Sequence, residues 1–337
     1  MENNTLTSLA GVLVGQTEDL KSLTGCTVVA FERPINVACV SLGGAATTYN
    51  TESLKLDKNY YQKHAIFMTD GAMSGLEASY WIAKGLREKN VGWKMGKTIN
   101  PSMTGVCIMG FENSRFDPEL GYRAVISLSK NTVESGNVGV GIGAGVGKFS
   151  WTDSGKCLGM KGGIGSAKID LGKGAVVCAL TVVNALGNVV DKNGEIMAGN
   201  RNDNKDGGFK FRTFEGLSKW AIENQNTTIS VVGTNIKLPL LQQDLTKVAQ
   251  IATHGQIRAI KPVNTSLDGD TVFAFSTQEI DIEGINFGDE WWKLSADIVG
   301  QAAADAVQES IYDACKSAKT VKWGKGYQGI IPAIGDY

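Results

Sequence analysis

Six short runs in this chain are apolar on both faces, or nearly so, and they constrain the fold more than any other feature. They lie at residues 27–31, 37–40, 106–109, 175–180, 228–232 and 271–275. A strand with one wet face alternates apolar and polar residues; a strand apolar on both faces needs a covering layer on each side. Three stretches of helical period can supply those layers. Residues 75–89 offer Leu76, Ala78, Trp81, Ile82 and Leu86 as one buried face. A second stretch follows Pro239, offers Leu241, Leu245, Val248, Ala249 and Ala252, and is expected to stop at Gly255. The third, residues 295–317, carries Ala302, Ala303, Ala304 and Ala306, small enough for a neighbour to approach closely. The 337 residues suffice for a large core in one or two domains, and no internal repeat is evident. The 42 glycines are dispersed through hydrophobic sequence, which reads as tight turns and close-packed backbone, not disorder.

Charge and rare residues exclude several kinds of chemistry. Lys plus Arg total 33 against 34 Asp plus Glu, with no like-charge block, so nothing points to a nucleic-acid partner. The start lacks a basic region followed by an apolar one, and no uncharged run reaches the roughly 20 residues that span a bilayer. The expectation is a cytoplasmic protein with no membrane partner. Six scattered cysteines form no CxxC pair; free thiols in a reducing compartment are expected, with disulfides as the alternative. There are two histidines, His64 and His254. A zinc site built on imidazoles is therefore nearly excluded, and a histidine triad would need one of these two. His254 precedes Gly255 at the expected end of a helix, and His64 leads into a strand-like run. Catalysis is left to hydroxyls, amines, amides and carboxylates, with no metal and no cofactor expected.

Four places invite a chemical reading. The first, residues 139–148, alternates glycines and ends on Lys148, but Ile142 and Phe149 stand where a phosphate loop needs Gly and Ser or Thr. Its glycines can instead admit another backbone or a substrate, and deliver Lys148 to a tight site. The second is Asn184, which follows a buried-looking strand; a buried amide must find partners, or can aim its N–H at a developing oxyanion. The third is Asn226-Thr227, where a hydroxyl residue stands at the entrance of a β-branched run after the polar segment 199–208, which reads as an exposed loop. Cutting that bond would give Thr227 a free α-amine of pKa about 8, a base beside its own hydroxyl. Without a cut, Thr227 is simply the first residue of a strand. The fourth, Asp268-Gly269-Asp270, reads either as a solvated turn or as a carboxylate pair holding an amine.

Taken together, these residues resemble the DmpA-type self-processing aminopeptidases, and within them the nylon-oligomer (6-aminohexanoate-oligomer) endohydrolase branch. The likeness joins 226–230 with Thr234-Asn235 and 268–274. It extends through residues 23–29, His64-Ala65-Ile66, Gly75-Leu76-Glu77-Ala78, Gly147-Lys148, Val183-Asn184 and 278–281, in order along nearly the whole chain. The resemblance implies an α/β fold, a four-layer αββα sandwich shared with ornithine acetyltransferases. It implies one hydrolase domain, 1–337, that cuts itself into chains 1–226 and 227–337. Carried over by position, Thr227 matches the nucleophile, Asn226 the residue before the cut, and Lys148, Asn184, Asp268 and Asp270 the supporting catalytic residues. Threonine with two aspartates favours the nylon branch over members with a serine nucleophile. One run departs from the family pattern: 70–75, Asp70-Gly71-Ala72-Met73-Ser74-Gly75, replaces a glycine- and aromatic-containing segment expected to shape the substrate pocket.

The expected partner is a small amide or oligoamide, and the expected assembly is a homo-oligomer, a dimer or tetramer of processed units. In the expected mechanism Asn184 steadies the oxyanion, Asp268 and Asp270 orient the amine, and Lys148 tunes local charge. Three rival functions stay open: an aminopeptidase for β- or D-amino N-termini, an acyltransferase of the ornithine acetyltransferase type, and a scaffold that never processes.

Overall fold

The computed structural model describes residues 3–111, 116–149, 158–202, 210–214, 226–281, 291–323 and 329–336, without the side chains of 202, 291–294, 323 and 329. Among the described residues nine strands form one hydrogen-bonded network that divides into two sheets: β1 (Val12–Asp19), β2 (Thr24–Ser41), β3 (Thr47–Tyr49), β4 (Gln62–Thr69), β5 (Met103–Cys107), β6 (Gly163–Gly172), β7 (Ala175–Asn184), β8 (Thr227–Ile236) and β9 (Thr271–Ile280). The hydrogen-bonded order is β6-β7-β8-β9-β2-β4-β5-β3, with β1 also paired to β2. The long β2 belongs to two sheets. Its first part pairs with β1 and β4, and residues 37–41 pair with β9. The register slips between Ala30 and Ile35, where the strand passes from one sheet to the other.

Among the described residues four α-helices cover the two sheets: α1 (Ala78–Glu88), α2 (Leu120–Ile126), α3 (Leu241–Ala259) and α4 (Trp291–Ser317). The two-residue period of the strands builds the layers. On β7, Cys178, Leu180 and Val182 face the other sheet, while Val177, Ala179 and Val183 face α3 and α4. On β9, Phe273 and Phe275 enter the inter-sheet core, where Phe275 meets Phe31 edge-on, and Val272 and Ala274 go to the helices. On β2, Val29 and Phe31 point into the same inter-sheet core, while Cys26, Val28 and Ala30 pack with α1 and α2. The result is the expected αββα sandwich, and the reason the strands read apolar on both faces is that both faces are covered.

Several local expectations are corrected. Helix α3 does not stop at Gly255 but runs on to Ala259. Gly255 is a contact point instead, since a Cβ there would lie 2.2 Å from the Ala304 carbonyl oxygen of α4. His254 is accordingly an exposed residue inside the helix, not at its end. Helix α4 begins at Trp291, earlier than its apolar period suggested, and the short α2 was not anticipated. The start of the polar stretch is not an exposed loop. Asn200 is buried: its N–H donates to Asn188 Oδ1 at 2.7 Å and its Nδ2 to the Gly147 carbonyl at 2.7 Å. Residues 203–208 of that stretch lie outside the described residues. Near the C-terminus Gly329–Ile331 pairs with Val321–Trp323, a strand pair the sequence did not signal. Five cysteines are free thiols, and Cys157 lies outside the described residues. Among the described residues no helix is long and apolar enough to cross a membrane, and no group of three or more His, Cys, Asp or Glu could hold a metal ion.

Candidate active site

The sheet brings together three strand ends that are far apart in sequence. Strand β8 runs antiparallel to β7, which sets Thr227 opposite Asn184. It runs parallel to β9, which sets Ile229 beside Thr271. Just before these strands, one residue ahead of β8 and three ahead of β9, Asn226 bridges Asp268. The carboxylates of 268 and 270 are thus carried to the entrance of β8. All five residues matched to catalytic roles are buried, with Thr227 at 3% exposure and Asp268 at 1%. The solvated-turn reading of Asp268-Gly269-Asp270 is therefore overturned.

Around the Asn226–Thr227 bond the geometry is specific. The Thr227 hydroxyl donates to the Asn226 carbonyl oxygen at 2.6 Å. The Gly269 N–H donates to the same oxygen at 2.6 Å, and the Asn226 N–H donates to the Leu267 carbonyl at 3.0 Å. The bond is held from both sides, its carbonyl already polarised. Gly269 is glycine for want of space: a Cβ there would stand 2.7 Å from Thr227 Oγ1.

The two aspartates divide their contacts. Asp270 accepts from the Thr228 N–H at 2.6 Å and the Asn264 N–H at 2.8 Å. Asp268 accepts from the Thr265 N–H at 2.9 Å and the Thr265 hydroxyl at 2.6 Å. Burial pushes the Asp270 carboxyl up to about 7, and the Asp268 charge pushes the same way; the two N–H donors pull against them. Asp268 is raised as well, chiefly by burial. Two adjacent buried carboxylates resist ionising together, so an ammonium at the Thr227 nitrogen would find a ready counter-charge here.

Across the ladder, Asn184 is gripped by three groups. Its Oδ1 accepts from Lys148 Nζ at 2.6 Å and from the Gly145 N–H at 3.1 Å, and its Nδ2 donates to the Met109 carbonyl at 2.9 Å. Lys148 Nζ reaches that same carbonyl at 3.2 Å. The glycine run does deliver Lys148 to a tight site. Gly147 has φ +68, and a Cβ there would meet the Asn200 nitrogen at 2.0 Å.

The structure places all of the matched site residues in one cluster and adds several that sequence reading missed. The Gly269 and Gly145 N–H groups and the Met109 carbonyl are backbone groups with no side-chain signature. Asp70, read in the sequence only as part of a run expected to shape the pocket, and Lys161 are buried charges nearby. Lys161 donates to the carbonyls of Gly141, Ala144 and Gly162 at 2.7, 2.8 and 3.1 Å, and burial lowers it to about 7. A charged residue inside an otherwise apolar or glycine-rich run was the available signal for both. His64 belongs to β4, where its Nδ1 accepts from the Ser102 N–H, apart from this cluster.

Comparisons with known proteins agree with this geometry. The model of peptidase family S58 matches residues 4–328. An uncharacterized aminopeptidase of Mycobacterium leprae (strain TN) is 29% identical, over 98% of this chain and 94% of its own length. A 6-aminohexanoate-oligomer endohydrolase of Kocuria sp. (strain KY2) is 28% identical, over 91% of this chain and 84% of its own length. Among solved structures, the L-aminopeptidase D-Ala-esterase/amidase from Ochrobactrum anthropi, described as a variant of the Ntn hydrolase fold, superposes with a TM-score of 0.70 at 17% identity, covering 98% of this chain and 91% of that one. A Burkholderia sp. beta-aminopeptidase gives 0.68 at 18% identity, covering 99% and 91%. The chain belongs to peptidase family S58, the DmpA family, and is a hydrolase acting on amide bonds in an Ntn-hydrolase fold.

Proposed function

We propose that this chain cuts itself between Asn226 and Thr227, and that the freed Thr227 then hydrolyses 6-aminohexanoate oligomers or similar linear amides whose linkages are not between α-amino acids. The observation that carries the reading is the double hold on the Asn226 carbonyl, by the Thr227 hydroxyl and by the Gly269 N–H. In the first step Thr227 Oγ bonds to the Asn226 carbonyl carbon, the C–N bond breaks, and the hydroxyl proton passes to the departing nitrogen. Water then hydrolyses the ester and leaves an Asn226 carboxylate and a free Thr227 amine. In the processed enzyme that amine takes the hydroxyl proton while Oγ attacks the substrate carbonyl. Of the two Asn184 N–H bonds, Met109 takes one and the other serves the oxyanion. Asp268 and Asp270 hold the ammonium form of the amine. Lys148 fixes the Asn184 amide and adds positive charge beside the developing oxyanion.

Aminopeptidase action on β- or D-amino N-termini is the second reading, drawn from the names of the relatives and neighbours. It uses the same nucleophile and differs in the acyl pocket. A denaturing gel and N-terminal sequencing test the self-cleavage, with bands for 1–226 and 227–337 expected. Thr227→Ala should remain full length and inactive. A Thr227→Ala protein that is still split, or still hydrolyses amides, would sink the assignment. Turnover of a linear 6-aminohexanoate oligomer against a β-alanyl anilide separates the two substrate classes.

A further inference from the structure

We propose that Asp70 is a positioning residue for this chemistry: its carboxylate fixes the peptide unit whose carbonyl anchors Lys148 and Asn184, and it places a negative charge beside the buried ammonium groups of Lys148 and Lys161. The inference rests on the Thr227 reading above and adds a residue to it.

The argument starts from one planar peptide. Met109 C=O and Gly110 N–H belong to the same trans unit and therefore point in opposite directions. The N–H donates to Asp70 Oδ1 at 2.9 Å. The C=O accepts from Lys148 Nζ and from Asn184 Nδ2. The peptide dipole thus lies between a carboxylate at one end and an ammonium at the other, an arrangement in which each bond strengthens the next. Flanking bonds lock the segment to the end of β4: the Ile108 N–H donates to Thr69 O at 2.8 Å, and the Ala72 N–H to Ile108 O at 2.9 Å. Asp70 Oδ1 also takes the Gly71 N–H at 2.7 Å.

Among the described residues the other carboxyl oxygen has no hydrogen-bond partner, and it is fully enclosed. A Cβ on Gly143 would lie 2.1 Å from it and one on Gly110 2.3 Å. A buried carboxylate half unsatisfied is costly to keep for packing alone. What it meets electrostatically are Lys148 and Lys161, both of which favour its charged form. Burial outweighs them and raises the carboxyl to about 6, which leaves it charged at neutral pH. Among the described residues the remaining titratable neighbours are the thiols of Cys107 and Cys26, both pushed up by burial, Cys26 to about 12, and so neutral in the same range. Lys161 in turn holds the Ala144 carbonyl, next to the Gly145 N–H that donates to Asn184. Asp70 therefore bears on the Asn184 amide through both walls of the site.

The test is Asp70→Asn in the full-length chain, with Thr227→Ala in parallel. Asparagine keeps the shape and one acceptor oxygen but removes the charge. On a linear 6-aminohexanoate oligomer kcat should fall by roughly ten- to a hundredfold with KM little changed. The alkaline limb of the kcat profile should move to lower pH, because Lys161, already lowered to about 7 by burial, loses the Asp70 charge that raises it. Unchanged kcat, or a lower kcat with an unmoved limb, overturns the proposal. If wild type proves inactive on the oligomer, the substrate reading fails and the self-cleavage rate of Asp70→Asn carries the same comparison. If Thr227→Ala is active, the nucleophile reading fails instead. Should Asp70→Asn not fold, Asp70→Ala supplied with formate or formamide decides: formate alone should restore the rate, and equal rescue by formamide, or none by formate, refutes a role for the charge.

Discussion

Adding one methyl group at Gly269 tests whether the Asn226 carbonyl is held for reaction or merely packed. The backbone there is compatible with alanine, since φ lies outside the left-handed region. The difficulty is space. The new Cβ would stand 2.7 Å from Thr227 Oγ1, 3.2 Å from Thr227 Cγ2 and 3.0 Å from Ala46 Cα. Ordinary contact begins near 3.4 Å, so the hydroxyl must withdraw by roughly 0.7 Å or rotate away. Either movement breaks its 2.6 Å contact with the carbonyl it is to attack. A misplacement of about 1 Å typically costs a hundredfold in rate, and disturbing the Gly269 N–H adds part of the roughly 2.7–4 kcal/mol that one oxyanion donor supplies. Self-cleavage of Gly269→Ala should therefore slow by about a hundredfold or more. The assay is a time course of freshly purified protein on a denaturing gel, with intact mass and circular dichroism confirming an uncut, folded chain. Cleavage at the wild-type rate in a folded Gly269→Ala protein would refute the reasoning, because the contact would then not be on the reaction path.

Three further outcomes follow from the same geometry. Asn184→Ala should lower kcat roughly a hundredfold, read in steady-state kinetics on processed enzyme, since it removes the proposed oxyanion donor and the acceptor that orients Lys148. Gly255→Ala should destabilise by about 1–3 kcal/mol in a denaturant melt, although alanine is the better helix former by about 1 kcal/mol, because its Cβ would press on the Ala304 carbonyl at 2.2 Å. Thermal stability should also vary with pH in a particular sense. Asp270 is raised from 3.8 to about 7, so its contribution is present at low pH and is lost as pH rises through about 7; Lys161 is lowered from 10.5 to about 7, so its contribution is present at high pH and is lost as pH falls through about 7. Both place a minimum near neutrality, and a melting temperature that peaks at pH 7 in an uncut Thr227→Ala chain would contradict the assignment of these buried charges.

What could be read from the residues, and what could not, divides along a physical line. The layered architecture was legible because β7, β8 and β9 bury both faces, and a strand cannot hide that in its composition. The cluster was legible only in pieces, since Asn184, Thr227 and Asp268 sit on separate strands and nothing local says that β8 lies between β7 and β9 in the sheet. Only the resemblance joined them. Gly255 misled because the residue that ends helices is also the one that lets two helices touch, and the difference lies in α4, about fifty residues away. Of the two groups that hold the Asn226 carbonyl, the Thr227 hydroxyl was legible and the Gly269 N–H was not, because a backbone N–H carries no side chain to notice. The same holds for the 109–110 peptide, whose orientation depends on Asp70. That aspartate reads in sequence as a departure in a loop expected to meet substrate. In the fold it lies beneath the site, facing the glycines that make room for it, and its charge acts on Lys148 and Asn184 without touching Thr227. If substrate choice in this chain differs from that of its relatives, the proposed influence of Asp70 runs through the position of the Met109 carbonyl, behind Lys148 and Asn184.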